Sequence, residues 1–362
     1  MMKNIKLFQN KKARSGLITY AMVIAAYILV QILLGTGNIS SLMKGLLVPL
    51  CVYAILAVSL NLTVGILGEL SLGHAGFMCI GAFTGAFFSK CVQDVITVGW
   101  LRITIAILIG SLAAGVFGFL IGMPVLRLNG DYLAIVTLGF GEIVKTVVNV
   151  LYIGRDENGF HFSIKSNMDL NMTENGKTII KGAQGITGTP KDATFTIGVI
   201  LLLITLFIVL NLVNSRDGRA IMAIRDNRIA AESVGINITK YKLMAFSISA
   251  ALAGSAGVLY AHNLNTLTAN TNNFGYNMSI NILVFVVLGG IGNIRGSIIG
   301  AVVLTILPEL LRSFDLDNLR LLIYAVVLIV VMLFNWAPSF IQFRARVVAA
   351  VKSRLPKKGG IR

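Results

Sequence analysis

The chain reads as an all-α integral membrane protein of about ten transmembrane helices, with glycine-broken hairpins and both termini cytoplasmic. Three observations lead there. Of its 362 residues, 56% are hydrophobic and only 13% charged, where a soluble domain carries about a quarter; no aqueous surface can be built from that. Apolar blocks such as 17–34, 46–66, 101–123 and 319–336 match the ~20 residues a hydrocarbon core requires, and they lack the alternation of barrel strands. Lys and Arg, finally, gather where a multi-pass topology needs them.

Taken in order, Lys3, Lys6, Lys11, Lys12 and Arg14 precede block 17–34. That block is too long for the apolar region of a signal peptide and no small-residue cleavage site follows it, so it is expected to be an uncleaved first helix. Further blocks lie at 43–64, 71–89, 100–123, 131–153, 195–214, 241–261, 279–311 and 319–338. Nine crossings would part the termini, yet the tail holds Arg344, Arg346, Lys352, Arg354, Lys357, Lys358 and Arg362, and the positive-inside rule places both basic ends in the cytoplasm. Block 279–311 resolves the conflict. It is too long for one crossing and is interrupted by Gly289, Gly290, Gly292, Asn293, Arg295 and Gly296, so splitting it there gives ten helices. Under this topology 20 of the 31 Lys and Arg fall inside.

The expected organisation is a basic N-terminus over 1–16, a first transmembrane half over 17–153, an external loop over 154–194, a helix over 195–214, a cytoplasmic segment over 215–240, a second transmembrane half over 241–338 and a basic cytoplasmic tail over 339–362. The external loop balances five basic against five acidic residues and is rich in Gly, Asn and Thr, a composition that folds as a small cap or stays mobile. A weak internal echo links Gly65, Gly68 and Gly73 in one hairpin with Gly289, Gly292 and Gly296 in another, as in transporters built from related halves with broken helices.

With the basic residues so placed, the net charge of +16 speaks for membrane orientation and contact with membrane lipid, not for nucleic acid. Cys51, Cys79 and Cys91 lack the paired short spacings of a zinc or redox site and read as inert thiols. No phosphate-binding glycine loop ending in Lys-Ser or Lys-Thr is present. His74, His161 and His262 are far apart, with no metal-spaced partner. The chain is therefore expected to be no enzyme, with no catalytic residue, metal or cofactor of its own.

Inside the blocks, Glu142 and Lys145 stand three apart on one helix, where opposite charges neutralise each other; the pair either borders a solute path or locks neighbouring helices. Ser71 and His74 follow the glycine-broken turn, with Glu69 just before, and either line a gate or pack with hydrogen bonds. Ser249, Ala253 and Gly257, with Ala250 and Gly254 one step along, form a small-residue face for close helix packing.

The cytoplasmic segment 216–242 is the most informative. Asp226 is expected to cap a short amphipathic helix over 229–234 that Gly235 ends, giving either an ordinary charged loop or a docking knob. Within RDNRIAAESVGIN, residues Ala230, Ala231, Glu232 and Gly235 are similar to the coupling segment of ABC-transporter permeases. More narrowly, LSLGHAGFMCIGAF at 70–83, GDYLAIVTLGFGEI at 130–143, GAQGITG at 182–188, YKLMAFSISAALAGSAGVLYA at 241–261 and LGGIGNIRGSIIGA at 288–301 resemble the branched-chain amino-acid permease family of the LivM type, in order through most of the chain. The sequence departs from the general coupling pattern in having Ala-Ala-Glu-Ser where Glu-Ala-Ala is commonest, which leaves the role of Glu232 open.

The resemblance implies a permease subunit of an ATP-driven importer in the bacterial inner membrane, carrying branched-chain or related amino acids by alternating access. It implies two ATP-binding partner subunits that hold ATP and Mg, a second related permease subunit and an external solute-binding protein. Arg225, Asp226, Ile229, Ala230, Ala231, Glu232, Ser233 and Gly235 would then couple to the ATPase. Ser71, His74, Glu142 and Lys145 are candidates for the path, and Gly65, Gly68, Gly289, Gly290, Gly292 and Gly296 for structural breaks. Urea or short amides are an alternative cargo; an ion-gradient transporter, which needs acidic coupling sites inside the bundle, and a transport-inactive scaffold are readings of other classes.

Overall fold

A computed structural model describes residues 2–312, apart from 38, 39, 129, 167, 171, 174 and 175, together with 325, 326 and 329. The chain divides into two compact units, Met1–Val302 and Val303–Arg362, and the contacts discussed below lie in the first. Block 319–338, three residues excepted, and the basic tail fall outside the described residues.

The helices follow the apolar blocks because an apolar segment in lipid must satisfy its own backbone groups. They are α1 (Met2–Gly35), α2 (Ser41–Asn61), α3 (His74–Cys91), α4 (Gly99–Val125), α5 (Asp131–Val150), α6 (Phe195–Asn214), α7 (Arg216–Asp226), α8 (Arg228–Ser233), α9 (Ile238–Ala261), α10 (Thr271–Phe274), α11 (Tyr276–Gly289) and α12 (Ile294–Arg312). Among the described residues, six spans are long and apolar enough to cross a membrane: Gly16–Gly35, Met43–Leu67, Gly99–Val125, Asp131–Val150, Phe195–Asn214 and Ile238–Ala261. The long block 279–311 is interrupted between Gly289 and Ile294, with Gly290 and Gly292 at φ 92° and 82°, a backbone region open to glycine and strained for other residues.

The all-α expectation needs one correction. The polar segment between α5 and α6 folds with a distant strand into a five-stranded antiparallel sheet of β1 (Tyr152–Asp156), β2 (Gly159–Ser163), β3 (Lys177–Lys181), β4 (Ile186–Thr187) and β5 (Thr266–Leu267), in the order β2-β1-β3-β4-β5. Strands of two to five residues leave too short an alternation to stand out. One local signal was present: Glu157-Asn158 turns β1 into β2 just before Gly159, with the Asp156 carboxylate accepting from the Asn158 and Gly159 amides at 2.8 and 3.1 Å, the chemistry of a tight hairpin. The sheet also shortens block 131–153, since α5 stops at Val150 and Tyr152 already belongs to β1.

The bundle is organised around α9, whose residues from Ser249 to Ala261 are nearly all buried. Its small-residue face meets two helices at once. A Cβ added at Gly254 would strike Ala114 and the Gly110 carbonyl of α4, one at Gly257 would strike the Met78 carbonyl of α3, and one at Gly118 would come within 2.5 Å of the Ala250 methyl. In lipid there is little hydrophobic force between helices, so close backbone approach and its dispersion contacts hold them together.

Gly254→Ala is therefore expected to overpack the seam and cost roughly 1–3 kcal/mol, read as a lower unfolding temperature in detergent. Gly139→Ala on α5, where an added Cβ meets nothing within 4 Å, is the matched control and should be neutral or slightly stabilising through helix propensity.

Candidate functional site

Polar side chains converge where α2 ends. Beyond Asn61 the helix loosens into a π-helical turn, Leu62–Leu67, closed by Gly68 at φ 82°. Asn61 does not cap it. Its amide reaches across to the other glycine break, with Oδ1 accepting from the Gly292 amide at 2.9 Å and Nδ2 donating to Ser297 Oγ at 2.9 Å. A Cβ on Gly65 would collide with the Asn61 side chain and with the Gly292 backbone. The two glycine breaks noted in the sequence thus touch at Gly65 and Gly292.

Two cations secure the same turn. Arg225, in the last turn of α7, donates from Nη1 to the Gly65 carbonyl at 3.0 Å, and its stem crosses Gly68 so closely that no side chain fits there. A cation at a helix C-terminus satisfies an orphan carbonyl and opposes the negative end of the dipole. Lys242 of α9 pairs with Glu69 just past the turn, the side chains 4% and 14% exposed. Sequence reasoning noted Glu69 but missed Asn61, Lys242 and Ser297; the available signal was a polar residue inside an apolar block one turn from a glycine break.

Ser71 and His74 belong to the same break, and both are 1% exposed. Ser71 Oγ accepts from the Gly73 amide at 3.4 Å within the turn. His74 opens α3, with Nε2 3.0 Å from Ser249 Oγ, and that hydroxyl donates its single proton to the Ser59 carbonyl. The hydrogen between Nε2 and Ser249 must then sit on the imidazole, leaving the buried Nδ1 as an acceptor without a partner among the described residues. His74 therefore ties α2, α3 and α9 together.

Glu142 and Lys145 stand elsewhere, on α5. They form an ion pair, with Lys145 also donating to Thr271 Oγ1 at 3.2 Å, and Glu142 Oε1 accepting from the Tyr276 amide at 2.7 Å. The carboxylate thus sits on the N-terminus of α11, where the dipole favours negative charge, and the pair joins α5 to α10 and α11. A further pair went unnoticed in the sequence: Arg102 grips Asp192 with two bonds of 2.8 Å and donates to the Ile96 carbonyl at 3.2 Å.

The polar segment after α6 is two helices where one was expected. Asp226 closes α7 and pairs with Arg225, so it does not cap the short helix. Asn227 does: extended at φ −158°, ψ 106°, it breaks the helical run and its side chain accepts from the Ala230 amide at 3.0 Å. Gly235, at φ 83°, follows the end of α8. Ala231 is buried with Ile224 and Ile238 in a small cluster, while Ala230, Glu232 and Ser233 are exposed and Ile229 and Val234 are 81% and 75% exposed. Ile229 on α8 and Val234 just beyond its end are thus two bare aliphatic side chains on an otherwise polar segment.

Residues 42–332 match the family model described as branched-chain amino acid transport system / permease component. Among curated proteins, the LivM high-affinity branched-chain amino acid transport permease of Escherichia coli is 35% identical over 297 residues, covering 80% of this chain and 67% of that protein. LivH of the same organism is 23% identical over 286 residues, 78% and 88% of the two chains. The fructose import permease FruG of Bifidobacterium longum is 27% identical over 295 residues, 78% and 79% of the two. No solved structure matches.

The Glu69–Lys242 pair yields a direct test. Lys242→Met leaves a buried carboxylate without its counter-ion and is expected to destabilise by about 3–5 kcal/mol. Adding Glu69→Gln should recover a large part of that, measured as unfolding temperatures around a double-mutant cycle.

Proposed function

The chain belongs to the family of branched-chain amino acid transport permease components, and on that premise we propose that it is the membrane subunit of an ATP-driven importer of branched-chain or related amino acids. The match over residues 42–332 carries the reading. On this reading the chain is a multi-pass transport component of the inner membrane, not a catalyst, and two partner subunits hold ATP and Mg. An external solute-binding protein delivers cargo. That one organism has both LivM and LivH, each similar to this chain, supports a pair of different permeases.

Within that reading α8 is the docking helix. Ile229, Ala230, Glu232, Ser233 and Gly235 face the ATPase, Ala231 anchors the helix from beneath, and Arg225 turns inward to the break. ATP-driven closure of the partners moves α8, and the bundle alternates between its outward and inward openings. The four path candidates are used in joints of the bundle, which supports a route lined by aliphatic groups and glycine, with selectivity in the binding protein.

Copurification and uptake test this together. Ile229→Asp with Glu232→Arg is expected to abolish recovery of the ATPase subunits with the tagged chain, while Arg225→Ala should keep them and lower ATP-dependent uptake of labelled leucine at least tenfold. Uptake that survives ATP depletion, or a wild-type chain recovered alone, would overturn the importer reading.

A further inference from the structure

An apolar cavity of about 420 Å³ lies beside α5, within the 300–1,000 Å³ range of ligand sites. Phe87, Phe117, Phe140, Val147, Ile153 and Ile180 line it, and Thr84 contributes its only hydroxyl. Phe140 to Val147 spans about 10 Å at the α-helical rise, after which the cavity runs on to the sheet through Ile153 and Ile180. It opens along α5, where Ile143 and Val147 are 63% and 52% exposed. A groove with one hydroxyl and no charged group in its lining cannot orient an amino acid, whose two charges would be stranded there. It suits a hydrocarbon chain.

The sheet face at the outer end of the groove has the complementary chemistry. Residues opposite one another in an antiparallel pair share a face, and Ile153 pairs with Phe162 and Ile180, Arg155 with Phe160 and Lys177. One face thus carries the groove's end wall, two exposed phenylalanines and two cations. Phe160 packs on Phe87 of the groove wall at 5.8 Å, and the Arg155 guanidinium lies 5.7 Å over the Phe160 ring. Arg155 also donates to the Cys91 carbonyl at 3.1 Å, which fixes it at the level of the α3–α4 connection. Trp100, 67% exposed, starts α4 at that same connection, and exposed Trp marks the headgroup level of a bilayer.

We propose that this groove holds an acyl chain of an anionic phospholipid of the outer leaflet, its phosphate facing Arg155 and Lys177, and that the Phe160–Phe162 face of the sheet lies in the headgroup region. Arg155 gives one of its five donors to Cys91 and keeps others for a phosphate. The permease reading enters only in setting the sheet on the external side.

The complex of the full chain with its partner subunits, in vesicles containing phosphatidylglycerol or phosphatidylcholine with a diazirine in the acyl chain, gives the test. Illumination and peptide mapping are expected to place adducts on the peptides holding Val147 and Phe160–Phe162. Yield should favour phosphatidylglycerol, and Arg155→Gln with Lys177→Gln should reduce that preference roughly fivefold per cation, the factor for a basic side chain near an anionic surface. Val147→Trp, which fills the groove, should lower adducts with both lipids. Unlabelled peptides, as when water or another protein covers this face, or labelling indifferent to headgroup charge and to Val147→Trp, overturns the site. Leucine uptake in the same vesicles separates the outcomes, since intact uptake without adducts removes the lipid site and leaves the permease standing.

Discussion

A bilayer core offers no hydrogen-bond partner to a broken helix, so every interruption at membrane depth must be closed by protein. This chain breaks two helical hairpins, after Leu67 and after Gly289, and closes each largely with the other. The Asn61 amide fills the Gly292 amide and the Ser297 hydroxyl in one reach. That single side chain spans 231 positions of sequence, and an unpartnered polar group in its place would cost several kcal/mol. The glycines follow from it, because the backbones approach too closely at Gly65 for any side chain.

The polar helices α7 and α8 inherit this arrangement. They are held twice, once through the Ile224, Ala231 and Ile238 cluster that joins α7 and α8 to the first turn of α9, and once through Arg225 on the Gly65 carbonyl. Displacement of α8 would therefore act on α9 and on the break together. Because α9 packs on α3 and α4 through glycines set against backbone and small or branched side chains such as Ala114, Ala250 and Val258, these three helices would move as a body; tight packing transmits a shift and does not absorb it.

Charge inside the apolar segments serves the same end. Glu142 with Lys145 joins α5 to α11, Glu69 with Lys242 joins the break to α9, and Arg102 with Asp192 joins α4 to the chain entering α6. Buried charges persist where they are paired and hydrogen-bonded. An acid committed to a helix N-terminus and a lysine, as Glu142 is, makes a poor site for a coupling ion, which weighs against transport driven by an ion gradient.

Composition and the spacing of apolar blocks determined the class of this protein and the position of its long helices, because each transmembrane helix must satisfy its own backbone and so declares itself locally. The split of block 279–311 and the small-residue face of α9 were visible for the same reason: glycine acts on its own turn and on close neighbours. The five-stranded sheet was not, since β5 comes from residues 266–267 and strand pairing is decided by partners distant in sequence. Asn227 took the cap assigned to Asp226 because the competition between adjacent residues is settled by backbone angles, which composition does not set. Nothing in the sequence tied Asn61, Lys242 or Arg225 to a broken helix, and only tertiary structure could decide that, because Asn61 and Arg225 satisfy backbone groups at the breaks and Lys242 the Glu69 carboxylate beside one.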